Sequence, residues 1–123
     1  MLIITNNPMI QENVTDKEVI MLDTDYIGTL KECRDLVHKG YELLSHPLYG
    51  SVKPNETPYR TVIIKKGKSL DTNSLNLIEE AIETAEKFKN NKLTPMWTEK
   101  VLDDFRVIDF DIMRNTIQRM QYV

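Results

Sequence analysis

One stretch of this chain holds most of the side chains that could do chemistry. Between Ser45 and Tyr59 lie His46, Ser51, Lys53, Asn55, Glu56 and Thr57, a set able to donate, accept and exchange protons. A histidine titrates near neutrality and a carboxylate can tune it, which makes His46 and Glu56 the candidate acid–base pair. Lys53 brings positive charge near the Gly50-Ser51 backbone, where exposed N–H groups could hold a carboxylate or phosphate. No nucleophile–base–orienter set can be read from spacing, so a catalytic role would rest on His46 and Glu56 alone. Ligand binding asks less of the segment than catalysis does. The competing reading is a structural loop that covers a sheet edge, its polar side chains bonding their own backbone.

Pro47, Pro54 and Pro58 each fix φ and push the residue before them toward extended backbone. A flexible linker would be rich in glycine and serine, so this loop is built to hold a shape. Its length approaches the ~12–15 residues beyond which an unstructured connection is uncommon and usually functional. It follows a strand, and ligands on open parallel sheets sit beyond the strand C-termini. If the first and third strands are neighbours, Asn6 and Asn7 emerge at the same edge. The candidate ligand site is then Asn6, Asn7, His46, Ser51, Lys53, Asn55, Glu56 and Thr57.

The elements that must position these residues follow from periodicity and caps. Leu2-Ile3-Ile4, Val19 to Leu22, Tyr41 to Leu44 and Thr61 to Ile64 read as strands. Asn7 caps a short helix with Pro8 at its first position. Asp23-Thr24-Asp25 opens a helix over about Tyr26 to Lys39, with Tyr26, Ile27, Leu30, Cys33, Leu36 and Val37 inward and Gly40 as its stop. A helix over about Ser74 to Lys89 carries Leu77, Ile78, Ala81, Ile82, Ala85 and Phe88 as its buried stripe. Lys89 to Leu93 is the one linker-like stretch. Thr94-Pro95 starts a helix bearing Trp97, Val101, Leu102 and Phe105, and Asp109 caps a last one, with Ile108 and Met113 as a hydrophobic staple. The expected fold is α/β. It is a single domain over 1–123, with a small, about four-stranded, at least partly parallel sheet flanked by helices in Rossmann-like layering. The fourth strand has no helix before it and is the one expected to run antiparallel, while the helical segment over about 94–121 packs on the domain.

Other features narrow the function classes. Sixteen basic against nineteen acidic residues give a net charge of −3, which argues against nucleic-acid or anionic-membrane binding. Apolar runs fall far short of the ~20 residues a membrane span needs. With no signal-peptide pattern and a single cysteine, the expected compartment is cytoplasmic. Two histidines and that cysteine lack metal-site spacing, and scattered glycines form no phosphate fingerprint, so no metal and no cofactor are expected. Cys33, inward on its helix, reads as a core thiol; His38 as a helix C-terminal cation; Lys65-Lys66-Gly67-Lys68 as a solvated turn. Phe110, Met113, Ile117 and Met120 have the 3–4 spacing of a seam between copies, but the stripe is barely two heptads long and docking on the sheet is preferred.

Three segments together resemble the GrdX family: Thr5-Asn6-Asn7-Pro8, Arg34-Asp35-Leu36-Val37-His38-Lys39-Gly40, and His46-Pro47-Leu48 through Pro58-Tyr59. The resemblance covers roughly the first half of the chain, with the second half similar in general helical character. It implies a setting in the glycine, sarcosine and betaine reductase gene clusters of amino-acid-fermenting anaerobic bacteria. Those clusters encode a selenium-dependent reductase that takes electrons from thioredoxin and yields acetyl phosphate. It carries over no activity and no catalytic residue.

Three functions follow as expectations. The first is a non-catalytic accessory protein that binds a small anionic metabolite or a reductase component through the Ser45–Tyr59 loop. The second is a small enzyme using His46 and Glu56 for proton transfer with Lys53 as anion anchor. The third is an interaction module acting through its C-terminal helices.

Overall fold

The structure, a computed structural model, describes residues 1–50 and 53–120. The apolar runs form strands β1 (Leu2–Thr5), β2 (Glu18–Met21), β3 (Tyr41–Leu43) and β4 (Thr61–Lys66). They make one four-stranded sheet of order β2-β1-β4-β3. β1 and β2 run parallel, joined through the short helix α1 (Pro8–Asn13). β4 is antiparallel to both β1 and β3, as the missing crossover helix suggested.

The first and third strands are not neighbours: β4 lies between them. The shared edge survives by a different route. Because β4 runs against its neighbours, its first residue sits at the end where β1, β2 and β3 finish. The long loop therefore returns to Asn6 directly, and the Asn6 N–H donates to the Arg60 carbonyl (3.3 Å).

Side chains alternate along β1 and β4, so the two central strands serve two cores. Leu2, Ile4, Val62 and Ile64 face helices α2 (Tyr26–His38) and α3 (Thr72–Asn91), where Leu30, Cys33, Val37, Ile78, Ala81 and Ala85 close an apolar cluster. Ile3 and Ile63 face α1 and α4 (Glu99–Arg119), against Ile10, Met113 and Ile117. Helix starts are capped by side chains: Asn7 accepts from Met9 N–H, Asp25 from Gly28, Asp71 from Ser74 and Thr98 from Val101. Gly40 follows α2 at φ +100°, a conformation glycine adopts without penalty.

Two boundaries differ from expectation. α3 starts at Thr72 on an Asp71 cap and runs to Asn91, absorbing most of the stretch read as a linker. The C-terminal region is one helix, not two: residues 94–98 precede it, and Asp109 lies in its middle, only 4% exposed. Interior aspartate costs a helix about 0.7 kcal/mol at most, and the hydrogen bonds described below outweigh that. The Phe110–Met120 stripe turns onto the sheet, with Met113 and Ile117 buried and Phe110 and Met120 packed beside them. Among the described residues no helix is long and apolar enough to cross a membrane.

Candidate functional site

At the end of the β1–β4 pair the inward side chains change from isoleucine to threonine. Ile3 lies opposite Ile63, and Thr5 opposite Thr61, on the face that meets α4. Met113 and Ile117 cover the isoleucines, and Asp109, one turn earlier on the same helix, covers the threonines. Its carboxylate accepts from three donors: Tyr49 Oη at 2.5 Å, Thr61 Oγ1 at 2.7 Å and Asn7 Nδ2 at 3.0 Å. Because Thr61 gives its proton to Asp109, the 2.7 Å contact between the threonine hydroxyls is donated by Thr5. The network joins the end of β1, the long loop, the start of β4 and the middle of α4.

Arg60, the last residue before β4, fills the space beneath the loop and is 4% exposed. Its guanidinium lies over the Tyr49 ring at 4.1 Å and the Tyr26 ring at 4.9 Å. Nη1 donates to the carbonyls of Tyr49 (2.9 Å) and Pro47 (3.4 Å), which fixes the first turn of the loop. Nε is buried without a hydrogen-bond partner. Among the described residues no carboxylate forms a salt bridge with it. A cleft of about 10 Å³ opens here, lined by Tyr49, Gly50, Arg60, Ile108, Asp109 and Ile112 among others. Burial pushes the Tyr49 phenol well above its ordinary value, and the Asp109 charge adds to this, so Tyr49 stays a neutral donor. Burial raises Tyr26 too, opposed by Arg60.

The residues singled out from sequence fall into two groups. Asn6 and Asn7 are buried and their amides are engaged within the fold. Asn6 Nδ2 donates to the carbonyls of Pro58 (2.8 Å) and Thr24 (3.0 Å), while its Oδ1 accepts from Arg60 N–H (2.8 Å). Asn7 holds α4 through the Arg106 carbonyl (2.9 Å) and Asp109. Asn55 and Thr57 are also buried: Asn55 Nδ2 reaches the Lys92 carbonyl (3.0 Å), and Thr57 Oγ1 accepts from Tyr59 N–H (3.2 Å). Glu56 is half-buried and its carbonyl receives Trp97 Nε1 at 2.7 Å. Exposed are His46, whose Nδ1 accepts from Leu48 N–H at 3.0 Å, and Lys53. His46 and Glu56 share no hydrogen bond in the described structure. Ser51 lies outside the described residues.

Tyr49, Arg60 and Asp109 were not singled out for chemistry. One signal for Asp109 was present: continuing the Met113–Ile117 stripe back by four residues lands on a carboxylate at an inward position. Arg60 abuts a strand buried over its first four residues, a place where a cation needs a reason. Among the described residues, no group of three or more His, Cys, Asp or Glu side chains could hold a metal ion. Cys33 is buried in the apolar cluster, and burial, with Glu32 adding, pushes its thiol up to about 12.

Searches of curated proteins and of solved structures give no match. A family model, described as GrdX-like protein, matches residues 2–118. That span reaches beyond the first half on which the resemblance rested and takes in nearly all of α4, Asp109 included. The chain belongs to the GrdX-like protein family.

Proposed function

We propose that the chain is a non-catalytic, cytoplasmic accessory protein of a glycine, sarcosine or betaine reductase system, and that it binds a small anionic metabolite through the Ser45–Tyr59 loop. Family membership supports the setting. The observation that carries the binding role is how firmly the loop is tied. Asn6 holds Pro58, Arg60 holds Pro47 and Tyr49, Asn55 reaches Lys92, and Trp97 holds Glu56. Lys53 is exposed and its carbonyl accepts from the Glu56 and Thr57 N–H groups, so its charge stands on backbone tied on the C-terminal side, which lowers the entropy lost on binding. The amides of Asn6, Asn7 and Asn55 act here as supports for that surface.

Lys53→Met keeps much of the aliphatic stem and deletes the charge. It should leave stability unchanged and weaken an anionic ligand by about 1.5–3 kcal/mol, the range for a charge-assisted hydrogen bond. Calorimetric titration with amino acids, acyl phosphates and inorganic phosphate reads this. Binding of none of them by the wild type, or equal binding by both proteins, overturns the Lys53 anion site.

A second reading, docking of a reductase component, is favoured by exposed apolar side chains beside the loop. Leu93 is 72% exposed and Met96 fully so, and Leu93 lines a groove of about 340 Å³ with Pro54 and Pro58. Leu93→Glu with Met96→Glu should abolish co-elution with a purified reductase component if this reading holds.

A further inference from the structure

We infer that the outer edge of β2 is a docking surface for a second copy of this chain, whose own β2 pairs with it antiparallel and joins the two four-stranded sheets into one.

β2 ends the sheet on one side and β3 on the other. The two edges are finished differently. On β3 the outward N–H of Leu43 is taken by Ser74 Oγ at 3.0 Å, from the first turn of α3. On β2 the Leu22 N–H donates to the Thr5 carbonyl (2.8 Å). Ile20 and Leu22 therefore turn their backbone groups to β1, and Val19 and Met21 turn theirs outward. Among the described residues, none accepts from the Val19 or Met21 N–H. An open row of this kind is a template for another strand.

The charges at the two ends of the row select the occupant. Lys17 directly precedes β2 and Asp23 lies just past its end. Among the described residues neither forms an ion pair. An antiparallel copy reverses this order of charges, so the strand is its own complement, as an isologous interface requires. A two-fold axis at Ile20 sets Val19 against the partner's Met21 and Lys17 against the partner's Asp23, and the same pairs recur on the other side of the axis. Each Val19–Met21 pair exchanges both backbone N–H···O bonds. Ile20, packed beside the α2–α3 cluster, meets its counterpart on that face, while exposed Glu18 falls opposite Leu22 and keeps its carboxylate in water. Moving the register one step sets Val19 against Asp23 or Lys17 against Met21, which strands the charges. The contact between copies thus falls on β2, since the Phe110–Met120 stripe is spent on the sheet.

The test is sedimentation equilibrium of the full chain over a concentration series, with a monomer–dimer equilibrium as the expected result. Met21→Pro deletes an outward N–H and spares the β1 ladder, a placement that edge strands tolerate. It should abolish the dimer while urea unfolding still reports a folded monomer. Lys17→Asp and Asp23→Lys each turn both cross-copy pairs from attraction to repulsion and should weaken the dimer about tenfold; together they rebuild the pairs in reverse and should restore it. These two positions lie outside β2 and decide the question even if Met21→Pro fails to fold. A chain that is monomeric at every concentration overturns the inference and leaves the edge to a strand from another protein. A dimer that folded Met21→Pro retains, that the single reversals leave intact, or that the double variant does not recover, overturns it equally.

Discussion

The two faces of the sheet close in different ways. Toward α2 and α3, β1 and β4 present Leu2, Ile4, Val62 and Ile64 to an apolar cluster, with Lys31–Glu86 and Arg34–Glu79 as exposed ion pairs between the helices. Toward α1 and α4 the apolar contact stops at Ile3 and Ile63, and Thr5, Thr61, Asn7, Tyr49 and Asp109 finish the face with hydrogen bonds. Apolar packing is non-directional and tolerates repacking. A buried polar network is specific in angle and distance, and expensive when a member is lost. The first face holds the fold together; the second fixes where the loop and α4 stand relative to the sheet end.

The largest expected effect breaks the polar face. Asp109→Ala strands donors on Tyr49, Thr61 and Asn7, each costing about 1–3 kcal/mol, so a loss of at least about 3 kcal/mol is expected. Ile78→Val in the apolar cluster should cost only about 0.5–1.5 kcal/mol. Urea unfolding of both variants measures the contrast. An Asp109→Ala loss no larger than that of Ile78→Val would mean the network contributes no more than ordinary packing.

The same contrast explains what could be read from the sequence. The apolar face was legible because periodicity reports it: Leu30, Cys33 and Val37 on α2, and Ile78, Ala81, Ile82 and Ala85 on α3, all fall on the stripes that spacing predicts. Asp109 was misplaced because an isolated aspartate before an apolar run looks like an N-cap. Whether it caps or is buried depends on partners at Thr61, Tyr49 and Asn7, far away in the chain. The strand neighbour of β1 was misjudged for a related reason. Nothing local to Thr61–Lys66 says that it enters between two earlier strands. The loop was recognised as shaped from its prolines, yet the residues that shape it, Asn6, Arg60 and Trp97, act from outside it.

A smaller effect separates the faces by alkaline pH. Cys33 has a folded value of about 12 against 9.0 unfolded, so its contribution is complete below pH 9. It is lost as pH rises, by about 1.4 kcal/mol per unit, up to the folded value. Tyr26 and Tyr49 are also raised, but from 10.0, so their contributions begin to fall only above that. Between pH 9 and 10 the slope should belong to the apolar face alone. Cys33→Ala should flatten it there and leave the steeper loss above pH 10 in place. A slope that survives Cys33→Ala would show that the thiol does not control this range.

The smallest effect lies on the surface of the apolar face and concerns the caps of α2 and α3. Asp25 accepts from Gly28 N–H and pairs with Lys89 at 3.2 Å; Asp71 accepts from the Ser74 hydroxyl and N–H. Burial alone would raise Asp25, but the Gly28 hydrogen bond and Lys89 outweigh it and leave it below 3.8; the two Ser74 contacts lower Asp71 from the same value. A carboxylate with a depressed folded value contributes its stability above the unfolded value and loses it as pH falls through the folded one. The caps should therefore act in full above about pH 3.8 and fade below it. Asp25→Asn with Asp71→Asn keeps an accepting oxygen at each cap and removes the titration. Urea midpoints for both proteins should differ at pH 7 and converge as the pH drops below the folded values. High salt should narrow the difference at pH 7, because the Asp25–Lys89 pair is exposed enough to be screened. Curves that stay parallel to the lowest pH would mean that the cap charges do not contribute, and that the acid sensitivity of the fold comes from its other carboxyl groups.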